Sequence, residues 1–476
     1  MPGRRTKIVA TIGPASNDVP TLVALIEAGM DVARLNFSHG TLDEHRQTAQ
    51  RIRTAADQAG RQVAILQDLP GPKLRIGPVS GGVVELKPGD RVTFVCGDDQ
   101  EGTASWLSVT WRDLPGAVGP GEVLYLADGM IRLRVQAVRQ HEGEIDASVE
   151  IGGAVASRAG LNIPGELAEL PAVPADDLAL LEFGEEIGVD MVALSFVRKA
   201  DDVEGVRRHT RLPLIAKIEK PQAVANIESI VRAADCVMVA RGDLGIELPI
   251  EDVPMVQKQV LALAGAHARP SITATQMLDS MVTSSRPTRA EVTDVANAIL
   301  DGTDAVMLSQ ETAIGAHPVK AVEIMSRIAE RTEREAPYAQ WNETRVQRDA
   351  RDPSYTIAHS ACEAARDLGL DALVIPTLSG RSVRLISAHR PTVPVFALSP
   401  GKETVRRCGL MWGVTAARIR RHEVTEQLIA DAERRALEEG WVKPGDRIGI
   451  TAGLPSGRPG STSLFQVQTV REARPR

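Results

Sequence analysis

Aromatic residues make up only 3% of the 476-residue chain, too few for the ring platforms on which single-stranded nucleic acid stacks. Cysteine is sparser still. Cys96, Cys236, Cys362 and Cys408 stand far apart with no CxxC pair, so they read as scattered structural thiols of a reducing cytoplasm rather than a disulfide framework. No apolar run is long enough to span a bilayer, which argues against a membrane partner. The apolar part of the opening "MPGRRTKIVATIGPAS" is too short for a signal peptide. Positive charge is not in surplus either: the formal net charge is -7, which argues against general nucleic-acid binding.

What the chain does have is length for roughly two to four domains and a repeated pattern. Short β-branched runs ending in polar residues recur as "TKIVATIG", "MDVARLNFS", "QVAILQDL", "VDMVALSF", "PLIAKIE", "CVMVARGD", "PSITATQ" and "DAVMLSQET". Helix-like segments such as "VPTLVALIEAG" and "VANIESIVRAA" lie between most of them. Strand then helix, eight times over, predicts a parallel (β/α)8 barrel, a TIM barrel, over residues 1–76 and 161–344. Gly29, Gly60 and Gly188 fit the C-terminal caps of its helices. The rhythm breaks after the third strand. Residues 77–160 alternate in short runs, "VVELKPGDRVTFV" and "EVLYLADGMIRLRVQAV" among them, with turn signals between; this predicts a small inserted all-β domain that can close over the barrel. Residues 345–476 carry further strands and helices and predict a C-terminal open α/β domain.

Barrel active sites form where the strands end. The strand ends here supply Arg34, Asn36 and Ser38; Asp68; Lys217 and Glu219; Arg241 and Asp243; Thr275 and Gln276; Ser309 and Glu311. Lys217 and Glu219, two residues apart in "LIAKIEKP", leave one face of an otherwise apolar strand, and the expectation is that both point into an open mouth. Glu219 and Asp243, from neighbouring strands, can each give a hard oxygen to Mg²⁺. In "ARGDLGIELP" a strand turns into a short helical segment whose free amides suit a carboxylate or phosphate, and Gly242 allows close approach.

The stretches "TKIVATIGPAS", "ARLNFSHG", "GPKLRIG", "GLNIPG", "AKIEKP", "MVARGDLGIELP", "TATQMLDSM" and "RPTRAEVTDVANAILDGTDAVMLSQETAIGAHPVKAV" closely resemble the pyruvate kinase family, in the family's order and over essentially the whole chain. The resemblance implies a cytoplasmic homotetrameric phosphotransferase that moves the phosphoryl group of phosphoenolpyruvate to ADP, giving ATP and pyruvate in the last step of glycolysis. It implies that Glu219 and Asp243 hold Mg²⁺ or Mn²⁺, and that Lys217 stabilises phosphoryl charge. Gly242, Asp243 and Thr275 would bind the substrate carboxylate, with Thr275 and, through water, Ser309 on the proton path. Arg34 and Arg75 would grip phosphates, with His39, Arg158 and the lid residue Asp128 near the nucleotide.

Three departures from the family pattern carry expectations of their own. At "DLPGPKLRI" Leu69, Lys73 and Ile76 stand where many members have threonine, glutamate and threonine. Asn36, Ser38 and Asp68 match the family's other K⁺ ligands. A fixed ammonium on Lys73 can supply the charge of K⁺, so the enzyme is expected not to require it. Ala159 replaces a nucleotide-contacting lysine, with Arg158 beside it as a substitute, and Gln310 stands where glycine is usual. In the C-terminal unit, Thr377, Ser379, Gly380 and Ser382 resemble the loop that binds an effector phosphate, of a sugar phosphate or a nucleoside monophosphate. Two other functions fit parts of the pattern: a Mg²⁺-dependent aldolase that stabilises pyruvate enolate, and a catalytically impaired metabolite-binding paralogue.

Overall fold

The eight β-branched runs fold as short strands: β1 (Lys7–Thr11), β2 (Val32–Asn36), β3 (Ala64–Asp68), β4 (Met191–Leu194), β5 (Leu214–Ile218), β6 (Cys236–Ala240), β7 (Ser271–Ala274) and β8 (Ala305–Leu308). All neighbours pair in parallel, and β8 closes onto β1, which makes a complete barrel. The computed structural model describes residues 3–72, 74–127, 129–163, 173–338, 340–341, 345–347, 352–453 and 462–471.

A strand buried on both faces needs apolar residues at every position, which explains the unbroken runs. Alternate residues go opposite ways. Ile8, Ala33, Ile65, Val192, Ala216 and Val237 pack outward against the helices. Val9, Val32, Leu66, Met191, Ile215 and Met238 fill the interior. The outer helices begin at strong caps: Thr41 and Glu44 form a reciprocal capping box at Leu42–Gln58, and Thr288 and Glu291 form another at Arg289–Leu300.

Between β3 and β4 lies the β-rich insertion, a seven-stranded sheet with its own core around Phe94, Leu107, Leu124, Leu133 and Ile145, plus a two-stranded ribbon. It touches the barrel's upper rim at Gly129, whose φ is +88° and where a Cβ would come within 2.9 Å of Ile246. A side chain there would push the insertion off the rim. The C-terminal unit is a five-stranded sheet in the order Val414–Arg418, Val395–Ser399, Ala372–Pro376, Arg447–Gly453, Thr462–Thr469, the last strand antiparallel. It closes the opposite end of the barrel. Leu410 joins the barrel's interior cluster, and Lys7 Nζ donates to the Val414 carbonyl at 2.7 Å. No helix among the described residues is long and apolar enough to cross a membrane.

Candidate active site

Strand parity decides which side chains meet. Thr11, Arg34, Asp68, Lys217 and Glu219 all share the inward register, one layer above the apolar interior. Lys217 Nζ lies 2.9 Å from Glu219 Oε1 and 3.2 Å from Asp68 Oδ1, and donates to Ser195 Oγ at 2.7 Å. Ser195 in turn donates to the Leu69 carbonyl at 2.7 Å. Arg34 Nε binds Asp68 Oδ2 at 2.7 Å and its Nη1 donates to Thr11 Oγ1 at 2.9 Å. Two cations therefore flank Asp68, and with Thr11 they link four strands, β1, β2, β3 and β5.

The expected open mouth is not what these side chains face: Glu219 is fully buried and Lys217 is 9% exposed. The turn after β4 closes over them, and Phe196, at φ +56°, donates its N–H to Glu219 Oε2 at 2.7 Å. A left-handed conformation is uncommon for a bulky residue, and here it aims that amide at the carboxylate. Burial alone would lower the Lys217 pKa, but the charges of Asp68, Glu219 and Asp243 outweigh it and raise it. Burial would raise that of Asp68, yet Lys217 and Arg34 hold it down. Glu219 is raised, by burial first and with Asp243 adding to it, while Lys217 opposes.

These groups fit a divalent cation. Glu219 Oε1 is buried, is paired with the Lys217 ammonium at 2.9 Å and has no other partner among the described residues. The carboxylate of Asp243, in the first turn of the helix Arg241–Glu247, has no hydrogen bond or ion pair among the described residues. Two hard oxygens on adjacent strand ends suit an ion that takes few carboxylates and completes its shell from substrate and water.

The loop after β7 is strained. Thr275 and Gln276 have φ of +70° and +53°, costly for a β-branched residue and a device found at functional sites. Arg241 holds that loop through the Thr275 carbonyl at 2.9 Å and is itself fixed by Asp294 of the helix Arg289–Leu300, with two contacts of 2.6 Å. Gly242 N–H, expected to be free, donates to Thr275 Oγ1 at 2.7 Å, and that hydroxyl donates to the Ala274 carbonyl at 2.6 Å. A carboxylate arriving here exchanges with an existing contact rather than meeting a bare amide.

The remaining candidates are spread more widely. Arg75 donates to the Arg158 carbonyl at 3.0 Å, and the Arg158 guanidinium is paired with Asp99 at 2.5 and 2.8 Å. Asn36 accepts from Ser38 N–H at 3.2 Å, and the His39 carbonyl bonds His45 Nε2 at 2.9 Å. Glu311 is buried and accepts from the Ser309 and Leu278 amides, so it organises two loops instead of facing the rim. Lys73 and Asp128 lie outside the described residues. In the C-terminal unit Gly380 N–H donates to Thr377 Oγ1 at 3.0 Å, Arg381 N–H to Ser379 Oγ at 3.4 Å, and Ser382 is bonded to Thr462. Two of the loop's amides are thus taken by its own hydroxyls.

Reading the sequence missed Ser195, Phe196 and Asp177. The first two sit in "LSF" at a strand end, where a scan of strand termini for any polar side chain would have found Ser195. Asp177 is 4% exposed and accepts from Gly71 N–H at 2.8 Å. Gly71 itself has φ +70°, and a Cβ there would come within 2.9 Å of Ser195 and Phe196. Burial, reinforced by Asp176 and Asp68, pushes the Asp177 carboxyl up to about 6. The native state then binds more protons than the unfolded chain between about pH 4 and pH 6, so stability falls as pH rises through that window, by on the order of 2 kcal/mol. Asp177→Asn keeps an acceptor for Gly71 and removes the charge. It is expected to match the parent below about pH 4 and to exceed it in denaturation midpoint above about pH 6; a parallel pH profile for the two proteins contradicts this.

A family model described as the pyruvate kinase barrel domain matches residues 3–322, and one described as the pyruvate kinase alpha/beta domain matches residues 355–468. The chain is 44% identical to a pyruvate kinase from Geobacillus stearothermophilus over 475 residues, covering 98% of this chain and 81% of the relative. It is 44% identical to one from Agrobacterium vitis, covering 98% of each, and 42% identical to one from Mycobacterium tuberculosis, covering 98% and 99%. Among solved structures, a pyruvate kinase from Cryptosporidium parvum superposes with a TM-score of 0.90 at 35% identity, covering 98% of this chain and 96% of that one. These matches do not favour the aldolase or the impaired-paralogue alternative. With barrel, C-terminal sheet and near full-length identity in agreement, this chain belongs to the pyruvate kinase family, the phosphotransferases that work with a divalent metal and convert phosphoenolpyruvate and ADP to pyruvate and ATP.

Proposed function

We propose that phosphoryl transfer takes place above β5 and β6, with Lys217, Arg34, Glu219, Asp243 and Thr275 as its working groups. The observation that carries this reading is the Lys217 ammonium held between Asp68, Glu219 and Ser195, with an Asp243 carboxylate, which has no ion pair among the described residues, close enough for its charge to act on both Lys217 and Glu219. Phosphoryl transfer needs positioning and charge neutralisation more than covalent help. Lys217 presents a fixed positive charge to the phosphoryl oxygens, and Arg34 presents a second. Thr275 Oγ1 and the Gly242 amide, already bonded to each other, take the substrate carboxylate, and Thr275, with Ser309 through water, leads a proton to the enolate carbon. Arg75, His39, Arg158 and the lid residue Asp128 meet the nucleotide. Glu219 and Asp243 would hold Mg²⁺ or Mn²⁺, which when bound supplies positive charge to the transferring group and the enolate oxygen.

The unit boundaries 1–76 with 161–344, 77–160 and 345–476, a homotetramer, and a phosphorylated effector at Thr377–Ser382 belong to the same proposal. So does a cytoplasmic location, supported by four free thiols, three of them buried. Pyruvate formation from phosphoenolpyruvate is expected to depend on ADP and a divalent metal. In Tris buffer free of Na⁺, activity is expected to be the same with and without K⁺, because Lys73 supplies the monovalent charge; strong activation by K⁺ would overturn that part.

A further inference from the structure

One buried ion pair has no part in the roles above. Lys220 follows Glu219 at the end of β5, and Glu247 closes the helix Arg241–Glu247. Their side chains are 11% and 0% exposed, with Lys220 Nζ 2.5 Å from Glu247 Oε1. Taking two charges out of water is expensive, so stability alone is a poor reason for such a pair. Its placement offers a better one. Glu247 stands four residues after Asp243, on the same helix face. Lys220 is adjacent to Glu219 and lies 5.6 Å from the ring centroid of Phe196, the residue whose amide holds Glu219 Oε2. The first turn of the helix is tied to the β7 loop by Arg241 and Gly242. The polar tie at its last turn is Lys220–Glu247, and it runs to the strand that carries Glu219.

We infer that Lys220 and Glu247 are positioning residues that hold Asp243 opposite Glu219 and so set the spacing of the divalent-metal site. The inference rests on the proposal that Glu219 and Asp243 are the metal ligands. Glu219 directly follows β5 and Asp243 sits on the helix, and the distance between them is set by whatever joins those elements. Lys220–Glu247 joins them one residue from one ligand and one helical turn from the other. Glu247 Oε2 is buried without a hydrogen-bond partner, so the pair depends on this one contact.

Mn²⁺ binding to the full-length protein, without substrates, is followed through the electron paramagnetic resonance signal of the free ion. Glu219→Gln is expected to weaken it strongly; if it does not, the metal-site proposal itself fails. With that result in hand, Lys220→Met and Glu247→Gln are each expected to weaken Mn²⁺ binding by about 10–100-fold, the usual cost of losing an outer support of a metal ligand. A purely electrostatic role of Lys220 acts the other way, since removing a nearby cation tightens Mn²⁺. The double variant Lys220→Met with Glu247→Leu leaves no unpaired charge. It is expected to recover thermal stability relative to either single change yet to keep the weak Mn²⁺ affinity, and it carries the test if a single variant fails to fold. Mn²⁺ affinity within about twofold of the parent in the double variant, or tightened in Lys220→Met, overturns the inference.

Discussion

Replacing Lys217 with alanine is expected to lower turnover at saturating phosphoenolpyruvate and ADP by about 10²–10³-fold, the scale of losing one preorganised electrostatic contact in a water-excluded site. The ammonium is held in place before substrate arrives, by Ser195 at 2.7 Å, Glu219 at 2.9 Å and Asp68 at 3.2 Å, so it spends no energy on reorientation during the reaction. Arginine should not rescue it. A planar guanidinium cannot take the place of a compact ammonium whose three directions of contact are already assigned. Alanine also leaves Glu219 buried beside Asp243 without its cation, while Asp68 keeps Arg34. Removing one partner of a buried pair costs about 3–5 kcal/mol, so the melting temperature must be measured beside turnover. A folded Lys217→Ala protein with near-normal turnover removes Lys217 from the reaction.

The largest expected effect on stability lies at the other end of the barrel. Arg390 is 0% exposed. Its guanidinium binds Asp304 Oδ1 at 2.9 Å and the carbonyls of Gly302 at 2.7 Å and Thr303 at 3.2 Å, and it lies 4.6 Å from the ring centroid of Trp412. Asp304, just before β8, also accepts from the amide and hydroxyl of Ser271 at the start of β7. One arginine of the C-terminal unit therefore anchors two barrel strands. Arg390→Ala is expected to cost about 3–5 kcal/mol, and calorimetry should show the C-terminal unit melting before the barrel. Arg390→Met, which keeps most of the volume over Trp412, should lose less. A single transition at the parent's temperature for the alanine variant contradicts the anchoring role.

The barrel was legible because its pattern is local. A strand covered on both faces must be apolar throughout, and its polar residues can only sit at its ends. That pattern alone places Arg34, Asp68, Lys217 and Glu219 on one rim. The insertion was legible for the same reason, since its period of two differs from that of the barrel's helices. The family resemblance, an ordered set of motifs, led to the same architecture, and the fold and the family matches agree with it.

Partner choice was not legible. Gly71 meets Asp177 across 106 residues, Ser195 meets Leu69 across 126 and Arg390 meets Asp304 across 86. Nothing in the residues around either partner marks the other. The left-handed turn at Phe196 is invisible in a bulky residue's propensity, because the surrounding contacts impose it against that propensity. The degree of burial is not legible either: "KIEKP" reads as charges bound for solvent, and the folded chain seals Glu219 completely. Chain pattern selects which face a side chain leaves from, a choice made within a few residues. Which charge it then meets, and how dry that meeting is, follows from loops that close over the strand end from far away in the chain.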